Sequence, residues 1–281
     1  MSDQLHVPPG HIYSPIPSAA DVARALRRAG HYGRTLTGIE LRTSEQLKLL
    51  DLLLPFYNDL PFAAEPGRHR FYYNNTWFTY ADAVFYALML RYLRPRRVIE
   101  VGSGYSSALA LDVDGLFLGG TTHFTFIDPD PLRLLELATE ADLRGRIVTA
   151  PVQDVPLSLF AELGKGDILF VDSSHVIKAG SDVQHLLDEV FPRLVDGVYI
   201  HIHDVFYPFE YPESWLVTGC SVNEAYAVRA LLQFSSGYRI ELFTDYLKTT
   251  HREWLSERMP LTLNGSFPTG GIWLRRTAAS T

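Results

Sequence analysis

Only one of the 281 residues, Cys220, carries a thiol, which excludes an internal disulfide and fits a reducing compartment. Long apolar runs are also missing. No run reaches the roughly 18 residues that a membrane span needs, and residues 47–56 are broken by Lys48, Asp51 and Pro55. Basic clusters are absent too: the net charge is −7 and Lys and Arg are scattered, which argues against a nucleic-acid partner. The start, Met1-Ser2-Asp3-Gln4, lacks the basic-then-apolar pattern of a secretory signal. A soluble, cytoplasmic protein without a membrane partner is expected. No Gly-Lys-Ser/Thr occurs, so a phosphate-binding P-loop is excluded. Gly102-x-Gly104 is followed by Ser107, where a dinucleotide fingerprint has its third glycine, and this counts against NAD or FAD.

What is present describes a globular chain, 47% hydrophobic and 20% charged, long enough to bury a sizeable core. The stretch from Arg97 to Ser107 organises it. Residues 98–101 read as a buried strand, the glycines force a tight turn, and Ser106-Ser107 open an apolar helix. Glycine lets the backbone approach a ligand closely, and a helix start offers free N–H groups. Glu100, inside that strand, needs a cationic or hydrogen-bonding partner once buried.

Strands then alternate with helices. Strands are expected over 123–127, 146–149, 167–171 and 197–202, and helices over 132–143, 157–163 and 179–191. Before them, helices are expected over 21–29, ended by Gly30, over 44–54, ended or kinked by Pro55, and over 79–93. After them come an aromatic loop over 205–218, a helix over 224–234, and strands over 238–243 and 271–275 that pair as an antiparallel edge. The fold expected is α/β: a Rossmann-like, doubly wound sheet, mostly parallel with an antiparallel C-terminal strand. Residues 1–78 read as an N-terminal arm and helical extension, 79–276 as the ligand-binding domain, and 277–281 as a tail. The aromatic and amide-rich segment 71–78 reads either as packing of the extension or as a pocket wall.

In such sheets ligands bind beyond the carboxyl ends of the strands. Four of those ends are polar here: Glu100 to Gly104, Asp128, Asp172 to His175, and His203-Asp204. Asp128 suits the hydroxyls of a ribose, since a carboxylate accepts hydrogen bonds. His201 shares a strand face with His203 and reads as a core histidine satisfied by a carbonyl.

The run Val98-Ile99-Glu100-Val101-Gly102-Ser103-Gly104-Tyr105-Ser106-Ser107 resembles the S-adenosylmethionine (SAM) signature of class I methyltransferases. Phe126-Ile127-Asp128-Pro129 is similar to their ribose-binding position. Phe170-Val171-Asp172-Ser173-Ser174-His175 and His203-Asp204-Val205 resemble a bacterial small-molecule branch with Asp-x-x-His and His-Asp after strands 4 and 5. The resemblance implies that Glu100, Gly102, Ser103, Gly104 and Ser107 hold the methionine part of SAM. It implies Asp128 on the ribose, Gln153 and Asp154 near the adenine, and Asp172 among the cofactor-binding residues. His175 and His203 are the base candidates, because imidazole titrates near neutrality. Alternatively Asp172, His203 and Asp204 hold a divalent metal such as Mg²⁺, with nitrogen ligation also admitting a transition metal. Position 174 is Ser where the branch often has an acid, and position 203 is His where metal-dependent relatives have an acid or amide.

The expected activity is therefore SAM-dependent methylation of a small-molecule acceptor, at oxygen. The aromatic group Phe206, Tyr207, Phe209, Tyr211 and Trp215 reads either as a pocket for a planar acceptor or as loop packing. The N-terminal extension reads either as a cap or as a homodimer contact. Three rivals stay open: a metal-dependent hydroxylase on the same fold, an NAD-dependent oxidoreductase, and a non-catalytic ligand-binding module.

Overall fold

The computed structural model describes residues 6–29 and 36–278. Its centre is a seven-stranded sheet, β1 (Arg97–Val101), β2 (His123–Ile127), β3 (Ile147–Val148), β4 (Ile168–Val171), β5 (Tyr199–His203), β6 (Tyr238–Phe243) and β7 (Gly271–Arg276). The order across the sheet is β3-β2-β1-β4-β5-β7-β6. The first five strands are parallel. β7 runs antiparallel between β5 and β6, as the glycine turn and the β-rich run before it predict. The strand order reverses direction between β1 and β4, which opens a crevice at their carboxyl ends.

The helix expected over 79–93 is Tyr80–Leu93; with α1 (Ala19–Ala29) and α2 (Thr43–Tyr57) before it, it becomes α3. Every residue from Ala81 to Leu90 is buried, as an all-round apolar helix must be. One row of the sheet lies beneath it. Glu100, Phe170, His201 and Trp273 are register partners across β1, β4, β5 and β7. Tyr86 of α3 packs over three of them, its ring centroid 4.4 Å from Phe170, 6.4 Å from His201 and 6.1 Å from Trp273.

Several boundaries differ from those expected. Pro55 does not end α2 at once; it sits inside the last turn, and the helix runs on to Tyr57. The helix over 132–143 is two pieces, Leu132–Leu137 and Glu140–Leu143. Thr139 splits them by capping the second: its hydroxyl accepts from the Asp142 N–H, and the Asp142 carboxylate accepts from the Thr139 N–H. The element over 179–191 starts only at Asp182, where the Ser181 hydroxyl caps it, and widens into a π-turn over Leu186–Val190. The connection before β7 carries helices Thr244–Thr250 and Arg252–Arg258. Gly30, expected to end α1, lies outside the described residues. No helix among the described residues is long and apolar enough to cross a membrane.

Segment 71–78 packs and also lines a wall. Phe71, Tyr73 and Phe78 are buried, and the Asn75 amide ties the turn to itself through four backbone hydrogen bonds of 2.7 to 3.0 Å. Upstream, Arg70 fastens the extension to α4 (Tyr105–Val113), reaching Asp112 and Asp142 at 2.6 Å each. The Phe71 N–H donates to the same Asp112 at 2.9 Å. Removing the guanidinium leaves Asp112, 4% exposed, with that one N–H for a partner. Arg70→Ala is therefore expected to lower stability by about 1–3 kcal/mol in urea unfolding, with Arg70→Lys intermediate.

Candidate functional site

The crevice is a cavity of about 790 Å³ over the carboxyl ends of β1, β2, β4 and β5. That volume lies in the range of small-molecule sites. Gly102 sets its floor. Its φ is +81°, and a Cβ there would lie 2.0 Å from the Asp172 carbonyl oxygen. No other residue type fits. The chain then turns so that the Ser103 N–H and hydroxyl both donate to Asp128 Oδ2 at 2.8 Å. The Asp130 N–H donates to Asp128 Oδ1, also at 2.8 Å. Three of the roughly four lone-pair positions of the Asp128 carboxylate are thus filled, and the remaining one on Oδ1 suits a single ligand hydroxyl.

Glu100 is fully buried beneath this floor and off the cavity lining. Its Oε1 accepts from the Ser106 and Ser107 hydroxyls at 2.6 and 2.8 Å. Its Oε2 has no hydrogen-bond partner. Burial pushes its carboxyl up to about 8; the serines oppose the shift, and the charges of Asp172 and Asp128 add to it. Ser107 also accepts from the Gly104 N–H at 3.0 Å, so the glutamate and the two serines fix the turn and the start of α4. Gln153 lines the cavity and donates to the Gly180 carbonyl at 2.8 Å. Asp154 is exposed and stands outside the lining. Trp77, in the segment 71–78 read as packing or a wall, does line the cavity; Arg133, whose guanidinium lies 3.9 Å from the Trp77 ring centre, was not foreseen. Of the aromatic loop only Trp215 reaches the cavity; Phe206, Phe209 and Tyr211 are buried in packing.

At the other end the structure brings together Asp172, His175, His203 and Asp204. His203 is the last residue of β5, and His175 follows β4 with a left-handed φ of 57°. That strained backbone is clamped, because the His175 carbonyl accepts from the N–H groups of Asn223 and Glu224 at 2.9 and 3.1 Å. Two carboxylates that sequence reading missed complete the cluster. Glu224 Oε2 lies 2.9 Å from His175 Nδ1, and Asp82 Oδ2 lies 3.4 Å from His203 Nε2. Glu224 begins a helix remote from β4, and Asp82 sits in the first turn of α3; no local motif marks either.

Charge dominates this cluster. Burial lowers the His175 imidazole, but Asp172 and Glu224 outweigh it and raise it to about 10. Burial likewise acts against charged His203, and the nearby Asp204 and Asp172 raise it well above the usual range. Asp172 is the counterpart: enclosure disfavours its charge, yet His203 and His175 hold it far below ordinary carboxylates. Burial pushes Asp204 up to about 6 against the pull of both histidines. The ring nitrogens of His203 are buried and make no aligned hydrogen bond, although carboxylate oxygens stand 3.3 to 3.6 Å away. Such orphaned donors beside carboxylates fit a cation site. His201 is a core histidine as expected but is not satisfied by a carbonyl; neither ring nitrogen has a partner among the described residues. Burial first, then the charge of His203, keeps it neutral.

Residues 99–205 match the family model described as a methyltransferase domain. An uncharacterized protein of Archaeoglobus fulgidus is 35% identical over 161 residues, covering 56% of this chain and 73% of that protein. Among solved structures, the S-adenosylhomocysteine-bound methyltransferase PaMTH1 of Podospora anserina superposes with a TM-score of 0.45 at 15% identity, covering 92% of this chain and 97% of that one. The SAM-bound O-methyltransferase TomG of Streptomyces achromogenes gives 0.43 at 14% identity, covering 91% and 96%.

Glu100 yields a pH test. The unfolded glutamate loses its proton near 4.5, whereas the folded one keeps it to about 8. The folded state then binds the extra proton between those values, so this group's contribution to stability falls as pH rises through the window. Glu100→Gln is expected to flatten the decline in thermal midpoint between pH 5 and 8; an unchanged slope would show that Glu100 titrates normally.

Proposed function

For this chain, which belongs to the class I SAM-dependent methyltransferases, we propose methyl transfer to an oxygen of a small-molecule acceptor bound between Trp215 and the histidine-aspartate cluster. The observation that carries the reading is the division of one cavity into two chemistries, a hydrogen-bonding floor at Ser103 and Asp128 and a charged end at His175, His203 and Asp204. SAM supplies an electrophilic sulfonium methyl group. The protein's part is to hold the two reactants in line and to lower the pKa of the acceptor hydroxyl.

Asp128 takes a ribose hydroxyl on its free lone pair, and Gln153 lies beside the adenine. Gly102 and Ser103 pass the methionine part across the floor, with Glu100, Ser106 and Ser107 bracing the turn from below. Asp154, exposed and off the lining, stays outside this contact set. Trp77 and Arg133 close the rim. The surrounding carboxylates raise both His175 and His203, so neither is tuned as a free base, and a cation bound at His203 would take the place of its proton. Asp172, His203 and Asp204 would hold a divalent cation, which acidifies an acceptor hydroxyl when bound.

Calorimetric titration with SAM and S-adenosylhomocysteine, with NAD as control, tests the cofactor. Micromolar binding is expected for the first two, weakened about tenfold or more in Asp128→Ala, which is ~1.4 kcal/mol or above. Transfer of labelled methyl to hydroxylated acceptors should follow. Tighter binding of NAD, or no binding of either SAM species, defeats the reading.

A further inference from the structure

We propose that Asp172, His175 and His203 are the protein ligands of one first-row transition-metal ion, with Asp204 beside them, and that Glu224 and Asp82 are the outer carboxylates facing its two histidines. The resemblance to metal-dependent relatives implied Asp172, His203 and Asp204 with Mg²⁺. His175 and the outer pair are additional, and they change the class of metal. The inference deepens the functional reading, since the ion would sit where the acceptor hydroxyl is activated.

The ligand atoms of Asp172, His175 and His203 all lie within 4.8 Å of one another, and Asp204 stands next to both imidazoles. His175 Nε2 lies 3.2 Å from Asp172 Oδ1 and 3.5 Å from Asp204 Oδ2. His203 Nδ1 lies 3.3 and 3.6 Å from the same two oxygens. Ligand atoms about 2.0–2.2 Å from a shared ion stand roughly 2.8–3.6 Å from one another, the span from right-angled to tetrahedral geometry. The edges from Asp172 Oδ1 to His175 Nε2 and His203 Nδ1, 3.2 and 3.3 Å, fall inside that span. Ordinary imidazole–carboxylate hydrogen bonds would be shorter and better aligned; His203, 5% exposed, makes none.

The outward-facing nitrogens supply independent support. Each imidazole turns one nitrogen to Asp172 and the other to a separate carboxylate, His175 Nδ1 to Glu224 Oε2 at 2.9 Å and His203 Nε2 to Asp82 Oδ2 at 3.4 Å. Metal-bound histidines are held by an outer acceptor that fixes tautomer and ring orientation, as Glu224 holds His175; Asp82 faces His203 without an aligned hydrogen bond. Glu224 is itself positioned, since the Ser173 hydroxyl donates to its carboxylate at 3.1 Å. Four carboxylates around two imidazoles also leave a surplus of negative charge that a dication balances. Two nitrogen donors favour Zn²⁺, Co²⁺, Fe²⁺ or Mn²⁺ over Mg²⁺, which prefers an all-oxygen, largely hydrated shell.

The test uses the full chain, stripped with chelator and titrated with Zn²⁺, Co²⁺ and Mg²⁺ by calorimetry, with Co²⁺ binding also read from its visible absorption. One Zn²⁺ or Co²⁺ per chain is expected, at least 100-fold tighter than Mg²⁺. His175→Ala and His203→Ala should each cost 100-fold or more, and Glu224→Gln about 10–100-fold. Circular dichroism checks that each variant folds, and Asp172→Asn supplies a nearly isosteric alternative. Mg²⁺ binding as tight as Zn²⁺, or Zn²⁺ binding unaffected in folded His175→Ala and Glu224→Gln, overturns the inference. SAM titration of the same samples separates the two claims. Lost metal selectivity with SAM binding intact removes only the metal centre, whereas metal binding without SAM binding removes the methyl-transfer reading.

Discussion

The approach of Gly102 to the Asp172 carbonyl is the contact on which the rest of the site depends. A side chain at 102 would overlap that oxygen, its Cβ only 2.0 Å away. With hydrogen there, the ends of β1 and β4 close side by side, and the Asp172 N–H donates to the Val101 carbonyl at 2.8 Å. Two consequences follow from one geometry. On one side the chain turns Ser103 onto Asp128; on the other, the Asp172 carboxylate stands between His175 and His203. The hydrogen-bonding floor and the charged end of the cavity are therefore set by a single backbone crossing at the switch point of the sheet.

His201 and His203 show how strongly position decides chemistry within that frame. They lie two residues apart on one strand and face the same side of the sheet. His201 is ringed by Phe170, Tyr86 and Trp273, finds no carboxylate, and stays neutral. One step toward the crevice, His203 meets Asp82, Asp172 and Asp204, whose charges raise it well above the usual range. Desolvation is nearly equal at the two sites, so the carboxylates make the difference.

The sheet was legible in the sequence because short apolar runs punctuated by glycine and proline recur at the spacing of alternating strands and helices. Strand ends were legible for the same reason, and with them Asp128, Asp172, His175 and Asp204. Helix lengths were less so. Thr139 and Ser181 carry capping signals that break the apolar period, and a periodicity reading passes over them. Pro55 was over-read, since a proline in the final turn leaves most of a helix's bonds intact. Glu224, Asp82 and Arg133 were not legible, and Trp77 was legible only as one residue of a segment read as packing or a wall. Glu224 and Asp82 reach the cluster from elements distant in sequence, and only packing of α3 and of the helix Glu224–Leu232 brings them in.

The histidine at 203 follows from electrostatics. An acid at that position would put a fifth carboxylate beside Asp82, Asp172, Asp204 and Glu224. The Asp204 carboxyl, pushed up to about 6, already registers the burial and crowding of negative charge. Imidazole adds a donor atom without adding a charge, and in its protonated form it offsets one. The same holds for His175, which spans from Asp172 to Glu224 and couples the end of β4 to a distant helix. Two histidines thus let four carboxylates share a buried corner that an all-acid set would force to take up protons, and they do so with ring nitrogens already turned toward a common point.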